Sequence, residues 1–440
     1  MTTKYEYLIQ EGNLVIGEDP DLINLKFLEK FNIITLKLFI SQSIRIQLQN
    51  KSLTELTVQL QTVMVSQQVL NLKIDDLELE NLEVLLLEYN NMNNDQLYNI
   101  VKFKKLHTLD VSKNSVDLTH IHSVTSLTKL SMRQCGLKNI ELISSLVNLE
   151  DLDISYNDCI DLSPLQNVTS LTKLVMQDCA LTNIDQIVPL TNLRVLDLSK
   201  NLLQNIDSIG QLKNLTDFSC KFNYNIDITS LQNLVGLINL DLRRCNLRQL
   251  GALKPLINLQ FLDISRNSNI NITELQYLRS LTHLYLFGCS VASIYVLRPL
   301  VSLENLNIAI NEIVYLDANL CKLQNLKLLK MENNLVSDFS SIETHHNFDN
   351  VDKYGYRGFN IQNQKTPSLQ QLNLANKMKR IEDPNISLKE NKIKHKTLKT
   401  KLKQFQLEIN ALTEHARSNY FQFTFSIAHL FEQLNKTVSQ

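Results

Sequence analysis

From Leu127 to Leu303 the chain restarts the same pattern every 22 residues without drift, at Leu127, Leu149, Leu171, Leu193, Leu215, Leu237, Leu259, Leu281 and Leu303. Counting each starting Leu as offset 0, a unit carries an aliphatic or similar residue at offsets 3 and 5 and Asn or Cys at offset 8, as in Leu193, Leu196, Leu198 and Asn201. Less regular units start at Leu82, Leu106, Leu326 and Leu369, and a weak one at Leu53. A fixed period of this length means that each unit buries its apolar face on its neighbours, so length adds coils rather than separate globular domains.

The offsets dictate local structure. Offsets 3 and 5 differ by two, which puts both side chains on one face of a short strand and turns offset 4 to the other. One strand per unit builds a parallel sheet. Past the strand the chain must turn, leaving buried backbone groups without a ladder partner, and an Asn amide supplies both donors and an acceptor there. Offset 8 is therefore structural, at Asn114, Cys135, Asn157, Cys179, Asn201, Asn223, Cys245, Asn267, Cys289 and Asn311. A small buried thiol serves in the Cys units. Cys220 occupies the inward offset 5, and Cys159 and Cys321 fall in the return segments. Those segments place apolar residues three apart, as in Ile184, Ile187 and Leu190, a period that suits a 3₁₀ turn or short helix.

The pattern resembles the leucine-rich repeat L-x-x-L-x-L-x-x-N/C, carried here by NLRVLDLSKNLL, SLTKLVMQDCAL and NLQFLDISRNSN. The 22-residue class with this return segment is similar to the leucine-rich regulatory subunit of type-one protein phosphatase and to bacterial surface proteins that bind host receptors. The resemblance implies an α/β solenoid or horseshoe, with a parallel concave sheet and short 3₁₀ or helical convex segments. It also implies a protein partner, with a phosphatase catalytic subunit as one candidate.

Four regions follow: an N-terminal cap over 1–80 containing the weak coil, the solenoid over 81–340, a loop and degenerate terminal repeat over 341–385, and a tail over 386–440. In the tail Leu398, Leu402, Phe405, Ile409 and Leu412 alternate steps of four and three, which predicts a basic amphipathic or coiled-coil helix running on to Leu434. With 44 basic and 45 acidic residues the chain as a whole is neither a polycation nor an acidic protein. Nucleic acid or acidic lipid finds at most a weak site, on the tail. No apolar run approaches a membrane span, and Met1 to Tyr7 do not read as a secretory leader, so a cytoplasmic or nuclear location is expected.

Two surface features bear on function. Asp110, Asp153, Asp197, Asp241 and Asp263 stand in one column at offset 4, where a solvated, partly ion-paired row is expected. Tyr156, Phe222, Phe261, Tyr285 and Phe287 project from the same face beside Arg243, Arg244 and Arg266, and exposed aromatics flanked by Arg are the types enriched at interface hot spots. These eight form the expected partner site, set against an alternative in which neighbouring aromatics merely stack. His120-x-His122 and His345-His346 lack further ligands at metal spacing, and no phosphate loop, zincin or nucleophile-elbow motif occurs. The expectation is a non-catalytic scaffold or regulatory subunit without cofactor or metal. A surface adhesin or receptor-type repeat protein, and an enzyme fused to repeats, are the rivals.

Overall fold

The computed structural model describes residues 77–336, apart from 159–160, 317–319 and 321, together with segments 8–10, 13–15, 22–24, 35–40, 45–49, 53–60 and 358–360. The chain divides into two units, residues 1–365 and 366–440, and everything described belongs to the first. The tail helix and its basic segment, the unit at Leu369, His345-His346, Cys159 and Cys321 lie outside the described residues.

Fifteen strands form one sheet in strict chain order, from Thr35–Ile40 to Gly358–Asn360. Every pairing in it is parallel, and across the regular units the register is the expected one: Leu174, Leu196 and Phe218, all at offset 3, stand opposite one another in successive strands. The strands are only three residues long over most of the array, as in Val195–Asp197, because offset 5 already begins the turn. Leu193, Leu196 and Leu198 are buried, and the same three offsets form one continuous core from Leu53 to Met331. The chain thus folds as a leucine-rich-repeat solenoid.

The return segments are 3₁₀ turns. Asp207–Gln211 is typical, with Ile206, Ile209 and Leu212 all buried, since a three-residue turn brings every third side chain to the same face. One short α-helix, Leu118–Ile121, replaces the 3₁₀ turn in the coil that starts at Leu106. The N-terminal coils are built differently: Arg45–Gln49 pairs in parallel with Leu22–Asn24 and with Leu77–Glu78, giving a second small sheet where later coils use 3₁₀ turns. Within the expected cap, the weak coil at Leu53 supplies the strand Glu55–Leu60, and the main sheet runs one strand further, to Thr35–Ile40, where no coil was expected. At the far end Gly358–Asn360 pairs with Leu328–Lys330, ahead of the expected unit at Leu369.

Candidate interaction face

The core side of each strand is held by a repeating amide. In the coil at Leu193, Asn201 Oδ1 accepts the backbone N–H of Cys179 and of Leu181, each at 3.0 Å, while Nδ2 donates to the carbonyls of Met176 at 2.8 Å and Leu198 at 2.9 Å. Asn157 holds Cys135, Leu137, Met132 and Ile154 in the same way. Where Cys takes the position, its thiol donates to a carbonyl of the preceding coil, as from Cys179 to Ile154 at 3.4 Å. Burial pushes the thiols of Cys135 and Cys289 up to about 12 and that of Cys179 to about 11. All ten offset-8 residues from Asn114 to Asn311 are buried.

The open face obeys a second rule. The N–H at offset 6 points away from the ladder, and the offset-4 Asp caps it: Asp110, Asp153, Asp197 and Asp263 accept from Ser112, Ser155, Ser199 and Ser265 at 2.9, 3.0, 2.9 and 2.9 Å. Three coils without that Asp borrow the preceding serine instead, so Arg133, Gln177 and Phe287 donate to Ser112, Ser155 and Ser265 Oγ, while Asn307 caps Ala309 in the Asp manner. The Asp column is partly ion-paired as expected, at Asp153, Asp241 and Asp263, and it also serves as a set of backbone caps, a role not expected from the sequence. Burial raises Asp153 and Asp263 above the usual carboxylate range, against the pull of their Ser caps.

At offset 7 the chain turns while its N–H still donates to the next coil, as Lys200 does to Lys221 at 2.8 Å. The backbone meets both demands by entering the left-handed region. Tyr156, Lys200, Phe222, Arg244, Arg266 and even Ile310 have φ between 53° and 63°. Only Gly288 at this offset is the residue such a conformation favours.

The eight residues of the expected partner site all stand on this face, but they differ in engagement. Phe261 and Tyr285 belong to neighbouring strands, with ring centroids 5.4 Å apart. Tyr156 lies between Arg133 and Lys200, at 5.4 and 5.6 Å from its ring. Arg243 is tied down by Asp241 at 2.6 Å and Asp263 at 3.2 Å. Arg244 and Arg266 instead lie over Phe222 and Phe287, at 5.4 and 4.9 Å. The aromatic side chains are half-buried, and Arg266 is exposed.

Of the other candidates, His122 Nδ1 donates to the Leu118 carbonyl and His120 packs edge-on against Tyr98. No group of three His, Cys, Asp or Glu side chains suited to a metal occurs among the described residues. No helix among them is long and apolar enough to cross a membrane.

No protein-family model and no curated protein matches the sequence. Solved structures do. An internalin of Listeria monocytogenes str. 4b F2365 is 22% identical with a TM-score of 0.56, over 74% of this chain and 88% of its own. A leucine-rich-repeat protein of Leptospira interrogans is 23% identical with a TM-score of 0.60, over 72% of this chain and 82% of its own. At these identities the likeness is one of fold.

Proposed function

We propose that the chain is a non-catalytic binding scaffold that docks another protein on the open sheet face of the coils from Leu215 to Leu303. One observation carries the reading: Phe222, Phe261, Tyr285 and Phe287 stand partly exposed on two strands and two turns of three coils, although none of them packs into the leucine core. A solenoid holds such side chains at fixed spacing and offers a broad surface instead of an enclosed, water-free pocket. An intracellular setting belongs to the same proposal, because Cys135, Cys179, Cys220, Cys245 and Cys289 are free thiols, the state the cytosol maintains.

The finer form of the proposal makes the scaffold a regulatory subunit, and the 22-residue period makes a type-one phosphatase catalytic subunit the first partner to test. Affinity capture with the full chain should recover partners that Phe261→Ala with Tyr285→Ala loses while folding is kept. Partners that survive this double substitution but disappear on removal of residues 386–440 would place function in the tail and end the proposal. Purified phosphatase catalytic subunit that binds neither form would remove the phosphatase reading alone.

A further inference from the structure

Cations on the open face sort into two groups. Lys113 pairs with Glu88 at 2.9 Å, Lys129 and Lys173 share Asp151 at 3.4 and 3.2 Å, and Arg133 reaches Asp153 at 3.5 Å. Lys221 and Arg243 are likewise satisfied by Asp241 and Asp263. Lys200 has no such carboxylate among the described residues and lies over Tyr156, and Arg244 and Arg266 share that state as an adjacent pair: neither guanidinium meets a carboxylate of the described residues within ion-pair distance, and each lies over an aromatic ring.

They are also in register. Both occupy offset 7 of adjacent coils, about 4.8 Å apart along the sheet. Their backbones are fixed by matching bonds, from Arg244 N–H to the Ser265 carbonyl at 3.0 Å and from Arg266 N–H to the Phe287 carbonyl at 2.7 Å. A guanidinium lying on a ring keeps its N–H edge outward, and that fork matches the two oxygens of a carboxylate. The Asp241 and Asp263 charges close by are already engaged by Arg243 and Lys221, which leaves two uncompensated positive charges at the edge of the aromatic cluster.

We infer that Arg244 and Arg266 select an acidic segment of the protein partner, whose carboxylates meet the two guanidinium edges while an apolar residue packs on Phe261 and Tyr285. This deepens the binding reading above and rests on it. A nucleic acid fits less well. A phosphate backbone calls for a run of cations in line along its length, whereas this site offers two adjacent guanidinium groups beside an aromatic cluster.

The test selects binders from a random twelve-residue peptide library on the full chain, on Arg244→Glu with Arg266→Glu, and on Phe261→Ala with Tyr285→Ala. Melting curves check that all three fold. The expected result is enrichment of Asp and Glu on the intact chain. Charge reversal should abolish that enrichment and weaken individual acidic peptides by at least about tenfold, since two charge-assisted contacts become repulsive. Peptides without acidic excess, or acidic peptides indifferent to the reversal, would overturn the inference. If such peptides still need Phe261 and Tyr285, the binding face stands and only its acidic preference fails; if they ignore both pairs, the binding face fails too. A single-stranded oligonucleotide bound in an Arg244-dependent and Arg266-dependent manner would also overturn the inference, in favour of nucleic acid.

Discussion

Replacing Asn201 by Ala should cost far more than replacing Cys179 by Ala, although both side chains occupy offset 8 of neighbouring coils. The amide of Asn201 pairs with two backbone N–H groups, those of Cys179 and Leu181, and with the Met176 carbonyl, whereas the Leu198 carbonyl keeps a second donor in Asn223 at 2.9 Å. A buried group left without a partner costs about 1 to 3 kcal/mol, so three of them set a loss of at least about 3 kcal/mol, with water entering the vacated space as the main relief. Cys179 is cheaper to remove because its acceptors are doubly served: the Ile154 carbonyl retains Asn157 Nδ2 at 2.8 Å and the Gln177 carbonyl retains the Tyr156 N–H at 2.7 Å. Its loss should stay near about 1 kcal/mol. Urea titration followed by circular dichroism measures both. Equal losses, or a smaller loss for Asn201→Ala, would refute the reasoning that the amide and not the volume at offset 8 holds adjacent coils together.

Further outcomes follow from the open face and the buried thiols. Asp197→Ala should lose about 1 kcal/mol in the same titration, because it uncaps Ser199 and frees Gln177, whereas Lys200→Gly should be neutral or stabilising by up to about 1 kcal/mol at φ 57°. Cys135, Cys179 and Cys289 should resist iodoacetamide at pH 8 in the folded chain and react fully in urea, as peptide mass spectrometry reads, since only the thiolate is nucleophilic and burial disfavours it. Burial raises Asp263, so the folded chain takes up that proton at higher pH than the unfolded chain does. Wild-type stability relative to Asp263→Asn should therefore increase as pH falls from the raised value toward the ordinary carboxylate range, and a difference that shrinks over that interval would reverse the sign of the assignment.

The register was legible because offsets 0, 3, 5 and 8 are each constrained by burial, and Leu193, Leu196, Leu198 and Asn201 carry that constraint in their residue types. The offset-7 turn was not. Its left-handed backbone is imposed by the ladder bond to the next coil, and Lys200, Phe222 and Ile310 give no local sign of it where a Gly would have. The capping role of the Asp column was hidden for a similar reason, since LD-x-S reads as a surface row until the unladdered N–H at offset 6 is located. Thr35–Ile40 carries no repeat signature, since its coil lacks the Asn and the 22-residue spacing, while strand pairing needs only the alternation of Leu36 and Leu38. For the candidate site, sequence placed the eight residues on one face but could not tell Arg243, which Asp241 and Asp263 hold, from Arg244 and Arg266, which they do not.

Hydroxyl-radical footprinting of the full chain with and without a captured partner tests the central claim most directly, because aromatic side chains report their own solvent access. Binding should protect Phe222, Phe261, Tyr285 and Phe287, while Tyr277 and Tyr295, 41% and 46% exposed in the return segments, keep their oxidation rates. Unchanged oxidation of the four open-face aromatics, with protection of Tyr277 and Tyr295 instead, would contradict the assignment of the sheet face as the binding surface.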